Sequence, residues 1–430
     1  MAAIDSRATS ARHILIVLFL ANLLNIFDRA LPGILMEPIR HEWSLSDLQL
    51  GFIASAFTLV FAIAGIPLGR LADMHSRIRL MGSGMLFWSL FSGLSGLAWS
   101  FTSFLVTRIG VGIGEASLSP SATSVISGLF PSEQRAKPTG IFMLGIPLGL
   151  LLSYSTVGSI VEYFGSWRAP FLLSFAPGLV LAAFIFSLGG SIPGAPAPES
   201  LTIKAPFKTI FSTPTFWFLT IAATACAFAI YATNAFMVPL LQRYFGVSLQ
   251  QAGMYTGIIV GGTGLVGLTM GGWLADYLQS AYRRGRVLMA AVSFFGAACL
   301  TATALTIDME LVQLFVAVYA AGWLLHFPFF ICLYPAVHDV VPAELRATSM
   351  SLFISLSTLI GGTLGPLTVG LISDHFAIRA QIAASAPAME EAFRAVGLHV
   401  SMGVVPIALL IASLAALFAT WKFVQDSDRQ

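Results

Sequence analysis

Charge is what this sequence has least of. Asp, Glu, Lys and Arg supply 10% of its 430 residues, where a soluble globular chain carries ~25%. Hydrophobic residues supply 57% and the mean hydropathy is +0.85. This composition excludes a soluble globule and points to an all-α protein that crosses a membrane many times. Cysteine is scarce too. Cys226, Cys299 and Cys332 all fall in apolar segments, where they read as small buried hydrophobes and not as disulfide partners or metal ligands. No basic run exceeds three residues and the net charge is +2, so nucleic acid is excluded as a partner. The chain has no Walker loop, no HExxH, no paired-Cys zinc spacing and no serine nucleophile elbow. These absences argue against an enzyme, against a metal or cofactor, and against ATP as a direct energy source.

What is present is apolar and periodic. Hydropathy, with Gly, Pro and charge as punctuation, predicts twelve transmembrane helices near 13–36, 48–71, 79–99, 102–128, 137–161, 168–189, 214–241, 250–276, 287–306, 311–338, 346–373 and 398–421. The N-terminal MAAIDSRATSARH is polar and basic like the start of a signal peptide. The apolar stretch after it is too long and has no small-residue cleavage pattern, so it is read as the first span. The only long Pro-rich polar stretch in the middle of the chain, 190–213, reads as a linker between two six-helix bundles, 1–189 and 214–430.

An internal repeat supports the division. GRLAD at 69–73 recurs as GWLAD at 272–276, an offset of 203, and PSEQRA at 131–136 recurs as PAELRA at 342–347, an offset of 211. Of the 22 Lys and Arg, fifteen fall on the side of the N-terminus, five on the other, and Arg29 and Arg108 inside spans. The positive-inside rule then places both termini and the linker in the cytoplasm.

The two inside residues belong to the most informative stretches. Asn22 to Gly33 sets Asp28 and Arg29 inside an apolar run, and RIGVGIGEAS sets Arg108 and Glu115 seven residues apart on one helical face. An ionised side chain near a span centre costs about 2.5–3.5 kcal/mol on insertion scales, so such residues mark proton or substrate paths more often than structural braces. Asn22, Asn25 and Arg29 form one polar stripe, with Asp28 about 100° away from Arg29. The sequence leaves open which acid meets which base. One arrangement pairs Arg29 with Glu115 and sets Asp28 against Arg108 or cavity water, and either carboxylate could shuttle between paired and protonated forms.

The second bundle has no such charges away from helix ends. It offers Tyr319, Trp323, His326 and Phe330 along the tenth helix, and Tyr231 with Asn234 on the seventh. With Asn25 these are the candidate substrate-binding residues. A cavity charged on one wall and aromatic on the other suits an amphiphile or an aromatic organic ion. Asp73 and Asp276 stand where the second and eighth helices meet the cytoplasm. Gly69, Asp73 and Arg77 are candidates for a cytoplasmic gate, in which Asp73 lies against the positive end of a helix in the other bundle.

At these residues the chain resembles the major facilitator superfamily. GRLAD with Arg77 is similar to the family's loop between helices two and three, and Arg108-xxx-Gly112-x-Gly114 to its helix-four motif. Within it, Asn25-xx-Asp28-Arg29, Ser76-Arg77, and GIGEAS followed by FPSEQRA and an IPLG run resemble the spinster branch, whose animal members are implicated in moving lysosphingolipids and lysophospholipids. The resemblance implies a polar site of Asp28, Arg29, Arg108 and Glu115, with proton-linked alternating access. Met74 stands where the family's loop has a basic residue and Ser76 where it has Gly. The anion:cation symporter branch carries a similar first helix and fourth-helix motif. The expected functions are therefore a proton-coupled transporter of amphiphilic, lysolipid-like solutes, a symporter of small organic anions, or a receptor on the same fold. The expected setting is a monomer in a bacterial inner membrane, with protons, a small molecule and the lipid bilayer as its partners.

Overall fold

A computed structural model describes the backbone of residues 2–74, 76–130, 134–188, 206–342 and 345–428; the side chains of 2–10, 70, 72–74, 136, 206 and 347 lie outside the description. The described chain is helical and has no strand. Its helices follow the twelve expected segments. In the first half they are α1 (Ala2–Ile34), α2 (Asp47–Met74), α3 (Arg77–Ser95), α4 (Phe101–Glu115, resuming at Leu118–Leu129), α5 (Ala136–Met143 and Gly145–Phe164) and α6 (Ala169–Ser187). In the second they are α7 (Pro214–Phe245), α8 (Leu249–Thr256 and Thr263–Ala281), α9 (Gly285–Ala304), α10 (Val312–Leu324 and Tyr334–Asp339), α11 (Arg346–Leu356 and Thr363–Ala383) and α12 (Glu391–Ser401 and Val404–Ser427). Ten spans are long and apolar enough to cross a membrane by length and composition. The remaining two segments are α3, which opens with Arg77 and Arg79, and α4, which is broken at residues 116–117.

The breaks have local causes. In α4, the Ser117 hydroxyl donates back to the Gly114 carbonyl at 2.8 Å, so the helix ends at Glu115 and leaves that acid at the discontinuity. In α8, α10 and α11 the ladder widens to π-type turns at Gly257–Gly262, Phe329–Leu333 and Ser357–Gly362, a distortion that often accompanies functional sites. The linker expected over 190–213 lies outside the described residues up to 205; its end forms the short helix Pro206–Phe211.

The chain divides into two compact units, Met1–Leu45 with Ala56–Pro198, and Ser46–Ser55 with Glu199–Gln430. The first is held by a core of Leu18, Ala21 and Leu24 from α1, Met81, Met85 and Trp88 from α3, and Val111 and Val125 from α4. Gly114 is essential to this packing, because a Cβ there would lie 2.7 Å from the Trp88 backbone nitrogen. The glycine lets α3 and α4 touch backbone to backbone, which sets the depth of Arg108 and Glu115. In the second unit, Asp47 at the start of α2 is bound through both carboxylate oxygens by Arg243 of α7, at 2.8 Å each, and accepts from Ser373 of α11 at 2.6 Å. Asp374 caps the same helix start, accepting from the backbone nitrogens of Asp47 and Leu48.

The repeat also acquires a physical reason. Arg135 donates to the carbonyls of Phe130 and Ser127, and Arg346 to that of His338. Ser127 and His338 each lie eight residues before their arginine. In both halves the motif's arginine therefore closes the carbonyl end of the preceding helix.

Candidate functional site

The first unit brings Asp28, Arg29, Arg108 and Glu115 into one cluster. Asp28, Arg108 and Glu115 are at most 1% exposed. Arg29 is the member that reaches a surface, with 26% of its side chain exposed. From α1, Arg29 donates through Nε and Nη2 to the same oxygen of Glu115, Oε2, at 3.1 and 2.9 Å. Its Nη2 also reaches Oδ1 of Asn25 at 3.3 Å. The guanidinium lies over two phenyl rings of α2, 4.5 Å from the Phe61 centroid and 5.3 Å from that of Phe57, a cation–π clamp that holds a cation while leaving its edge open.

Deeper in, Arg108 donates through Nη2 to the Ser95 hydroxyl and sits beside the rings of Phe104 and Phe171, 5.5 and 5.1 Å from their centroids. Asp28 shares this compartment with Arg108 and with the hydroxyls of Ser92 on α3 and Ser174 on α6. Arg29 thus works with Glu115, while Asp28 faces Arg108. Oε1 of Glu115 has no hydrogen-bond partner among the described residues, and the Asp28 carboxylate has only the hydroxyls of Ser92 and Ser174 as hydrogen-bonding groups among them. An ionised carboxylate in that situation costs far more than a protonated one. The cluster carries two acids and two bases, so one added proton leaves it cationic.

Asn22 ties α1 to α5, donating to the Phe142 carbonyl at 2.7 Å. Asn25 is buried and acts on Arg29. Sequence reasoning passes over Ser92 and Ser174, since serine in an apolar helix carries no signal of its own.

In the second unit the aromatic residues form a column. Phe315 meets Tyr319 at 5.4 Å, Tyr319 meets Trp323 at 6.2 Å, Trp323 meets His326 at 4.3 Å, and His326 meets Phe327 at 4.2 Å between centroids. The Tyr319 hydroxyl lies 3.0 Å from that of Thr233. Tyr319, Trp323 and His326 are core, at most 3% exposed. Phe330 leaves the column and is 39% exposed, because α10 loses its regular period after Leu324. Tyr231 and Asn234 are half-buried.

The side chain of Asp73 lies outside the described residues. Gly69 has open space where a Cβ would stand. Arg77 opens α3 behind Ser76, whose hydroxyl accepts from the Arg79 nitrogen. In the second half Asp276 is engaged by Arg286 at 2.8 Å, and Arg286 stands 3.9 Å from Asp339. The Asp47–Arg243 pair is absent from the sequence-based site; both residues lie at helix ends, where charge is ordinary.

Comparison with known proteins agrees with this fold. The family model described as Major Facilitator Superfamily matches residues 18–366. An MFS-type efflux pump of Mycolicibacterium smegmatis is 31% identical over 362 residues, covering 83% of each chain. A hexuronate transporter of Bacillus subtilis is 30% identical over 84% of this chain and 88% of its own. The crystal structure of a bacterial homolog to the human lysosomal transporter Spinster, inward-facing and unoccupied, superposes with a TM-score of 0.84 at 25% identity, over 97% of this chain and 98% of that one.

Proposed function

This chain belongs to the Major Facilitator Superfamily and is a multi-pass membrane transporter of small molecules; on that premise, we propose that it is a spinster-like, proton-coupled carrier of an amphiphilic organic solute with an anionic head. The observation that carries the proposal is the buried Asp28–Arg29–Arg108–Glu115 cluster, in which Oε1 of Glu115 lacks a hydrogen-bond partner among the described residues and one cation, Arg29, is partly exposed.

The chemistry runs as an exchange. With Glu115 ionised, Arg29 is held by Oε2. A proton on Glu115 removes the charge that holds Arg29 and frees the guanidinium edge for an anionic oxygen of the solute. Asp28 neutralises Arg108 in the ionised state and provides a second proton acceptor. Phe57 and Phe61, which flank Arg29, give the adjoining surface the apolar character an amphiphile needs, and Tyr231, Asn234 and Phe330 are the accessible candidates in the other unit. Solute and proton then move by alternating access. The carrier works as a monomer in a bacterial inner membrane, with both termini cytoplasmic in line with the placement of its Lys and Arg.

Arg29 also supports a second reading, symport of a small organic anion such as a sugar acid, and the hexuronate transporter among the relatives favours it. A thermostability screen on purified protein separates the two. Lysophospholipids should raise the unfolding temperature, with a larger effect at the lower of two pH values. Stabilisation by sugar acids alone would replace the amphiphile with the small anion.

A further inference from the structure

Outside the charged cluster, the second unit carries a groove of about 420 Å³ between α7, α11 and α12. Its floor is made by small residues, Ala225, Gly361 and Ala408. Gly361 permits that floor: a Cβ there would lie 2.2 Å from the Thr224 carbonyl oxygen, so α11 rests on the α7 backbone and leaves a trough beside the contact. The rim is large and apolar, with Ile221, Ile360 and Ile407 respectively 46%, 43% and 58% exposed.

We propose that this groove is a lipid site that holds one acyl chain of a bilayer phospholipid. Three observations select that occupant. All three walls belong to candidate membrane spans, so what meets the rim is hydrocarbon. The two threonines in the lining turn their hydroxyls back onto their own helix, Thr220 to the Phe216 carbonyl at 2.7 Å and Thr224 to the Thr220 carbonyl at 2.8 Å, which leaves no side-chain O–H to donate to a polar ligand. The groove also has the length of one leaflet. It runs along α7 from Trp217 to Phe228, about 16 Å at 1.5 Å per residue, against a half-bilayer of about 15 Å.

The end at Trp217 is the polar one. Trp217 lies in the first turn of α7, donates through Nε1 to the Phe211 carbonyl at 2.9 Å, and stacks on Phe211 at 5.4 Å. An indole fixed at a helix start is where a span meets the headgroup layer. The chain therefore enters with its head beside the linker and its methyl end at the midplane. Ile360 and Gly361 belong to the π-type turn of α11, so the bound chain packs directly on the irregular part of that helix. The groove shares no residue with the Asp28, Arg29, Arg108 and Glu115 cluster, and its test does not depend on the transported solute.

The experiment uses the full chain in nanodiscs of phosphatidylethanolamine and phosphatidylglycerol doped with a phosphatidylglycerol that bears a diazirine on one acyl chain. Adducts are mapped by peptide mass spectrometry. Groove residues 217–228, 356–364 and 404–411 should carry about tenfold more adduct than the lipid-facing surface around Val292, which is 64% exposed. Ala225→Phe, which fills the floor, should abolish that excess and leave the Val292 signal unchanged. A measurement on the parent protein keeps the test independent of that variant's folding: excess unlabelled phosphatidylglycerol should compete for the groove, and glycerophosphate should not. Equal labelling of the groove and the Val292 surface, or displacement by glycerophosphate, would overturn the site.

Discussion

Arg29 places two of its nitrogens on a single oxygen of Glu115, at 3.1 and 2.9 Å, while the other oxygen of that carboxylate has no partner among the described residues. One acid thus restrains the cation and keeps half of its own hydrogen-bonding capacity in reserve. Arg29→Lys separates shape from charge, because an ammonium cannot span Asn25 and Glu115 while lying flat on Phe61. The variant should reach the membrane at parental levels and bind the proposed anionic amphiphile about tenfold to a hundredfold more weakly, matching one lost charge-assisted hydrogen bond of about 1.5–3 kcal/mol. Titration of purified protein checks this.

The Asp47–Arg243 pair predicts a stability effect that involves none of the site residues. Both side chains are at most 2% exposed, and breaking a buried pair from one side costs about 3–5 kcal/mol because the other charge is left behind. Asp47→Asn should lower the unfolding temperature sharply, and adding Arg243→Met should recover part of the loss. A double variant less stable than the single one would deny that the stranded cation is the cause.

The repeated arginines make a paired prediction. Arg135→Ala and Arg346→Ala each remove a donor from a helix end, worth about 0.5–1.5 kcal/mol per hydrogen bond. Arg135 makes two such bonds and Arg346 one, so the first substitution should be the more destabilising in thermal unfolding.

A pH effect follows outside the membrane. Arg168 holds Glu42 through two hydrogen bonds and keeps its carboxyl below the usual range. A group depressed in the folded state stabilises above its unfolded pKa, about 4.3, and the contribution disappears as pH falls through the lower folded value. The pair is partly exposed, at 30% and 39%, so the effect is under about 1 kcal/mol. Glu42→Gln should unfold slightly below the parent at pH 7 and together with it at strongly acidic pH.

Much of this architecture is legible in the amino-acid sequence. Asp28, Arg29, Arg108 and Glu115 stand out because charge inside an apolar run is costly, and the spacing of GRLAD and PSEQRA marks the two halves. What is not legible depends on tertiary detail. The stripe from Tyr319 to Phe330 assumes an unbroken helical period, and the irregular turns after Leu324 take Phe330 out of it while Tyr319 and Trp323 are buried. Asp47 and Arg243 look like ordinary helix-end charges, because only the fold brings residues 196 positions apart into contact. Ser92 and Ser174 matter through what stands beside them, a property that no pattern of serines displays.

In the proposed cycle, protons move with the solute through Glu115 and Asp28. Proteoliposomes loaded with a pH-sensitive dye measure it directly, with a lysophospholipid gradient as the driving force and Glu115→Gln and Asp28→Asn beside the parent. The amide is nearly isosteric but cannot take up a proton. A solute-dependent pH change is expected in the parent, and its loss in Glu115→Gln with protein level and folding preserved. Asp28→Asn should impair the signal in the same way. A parental proton signal in both variants would rule out coupling through these two acids.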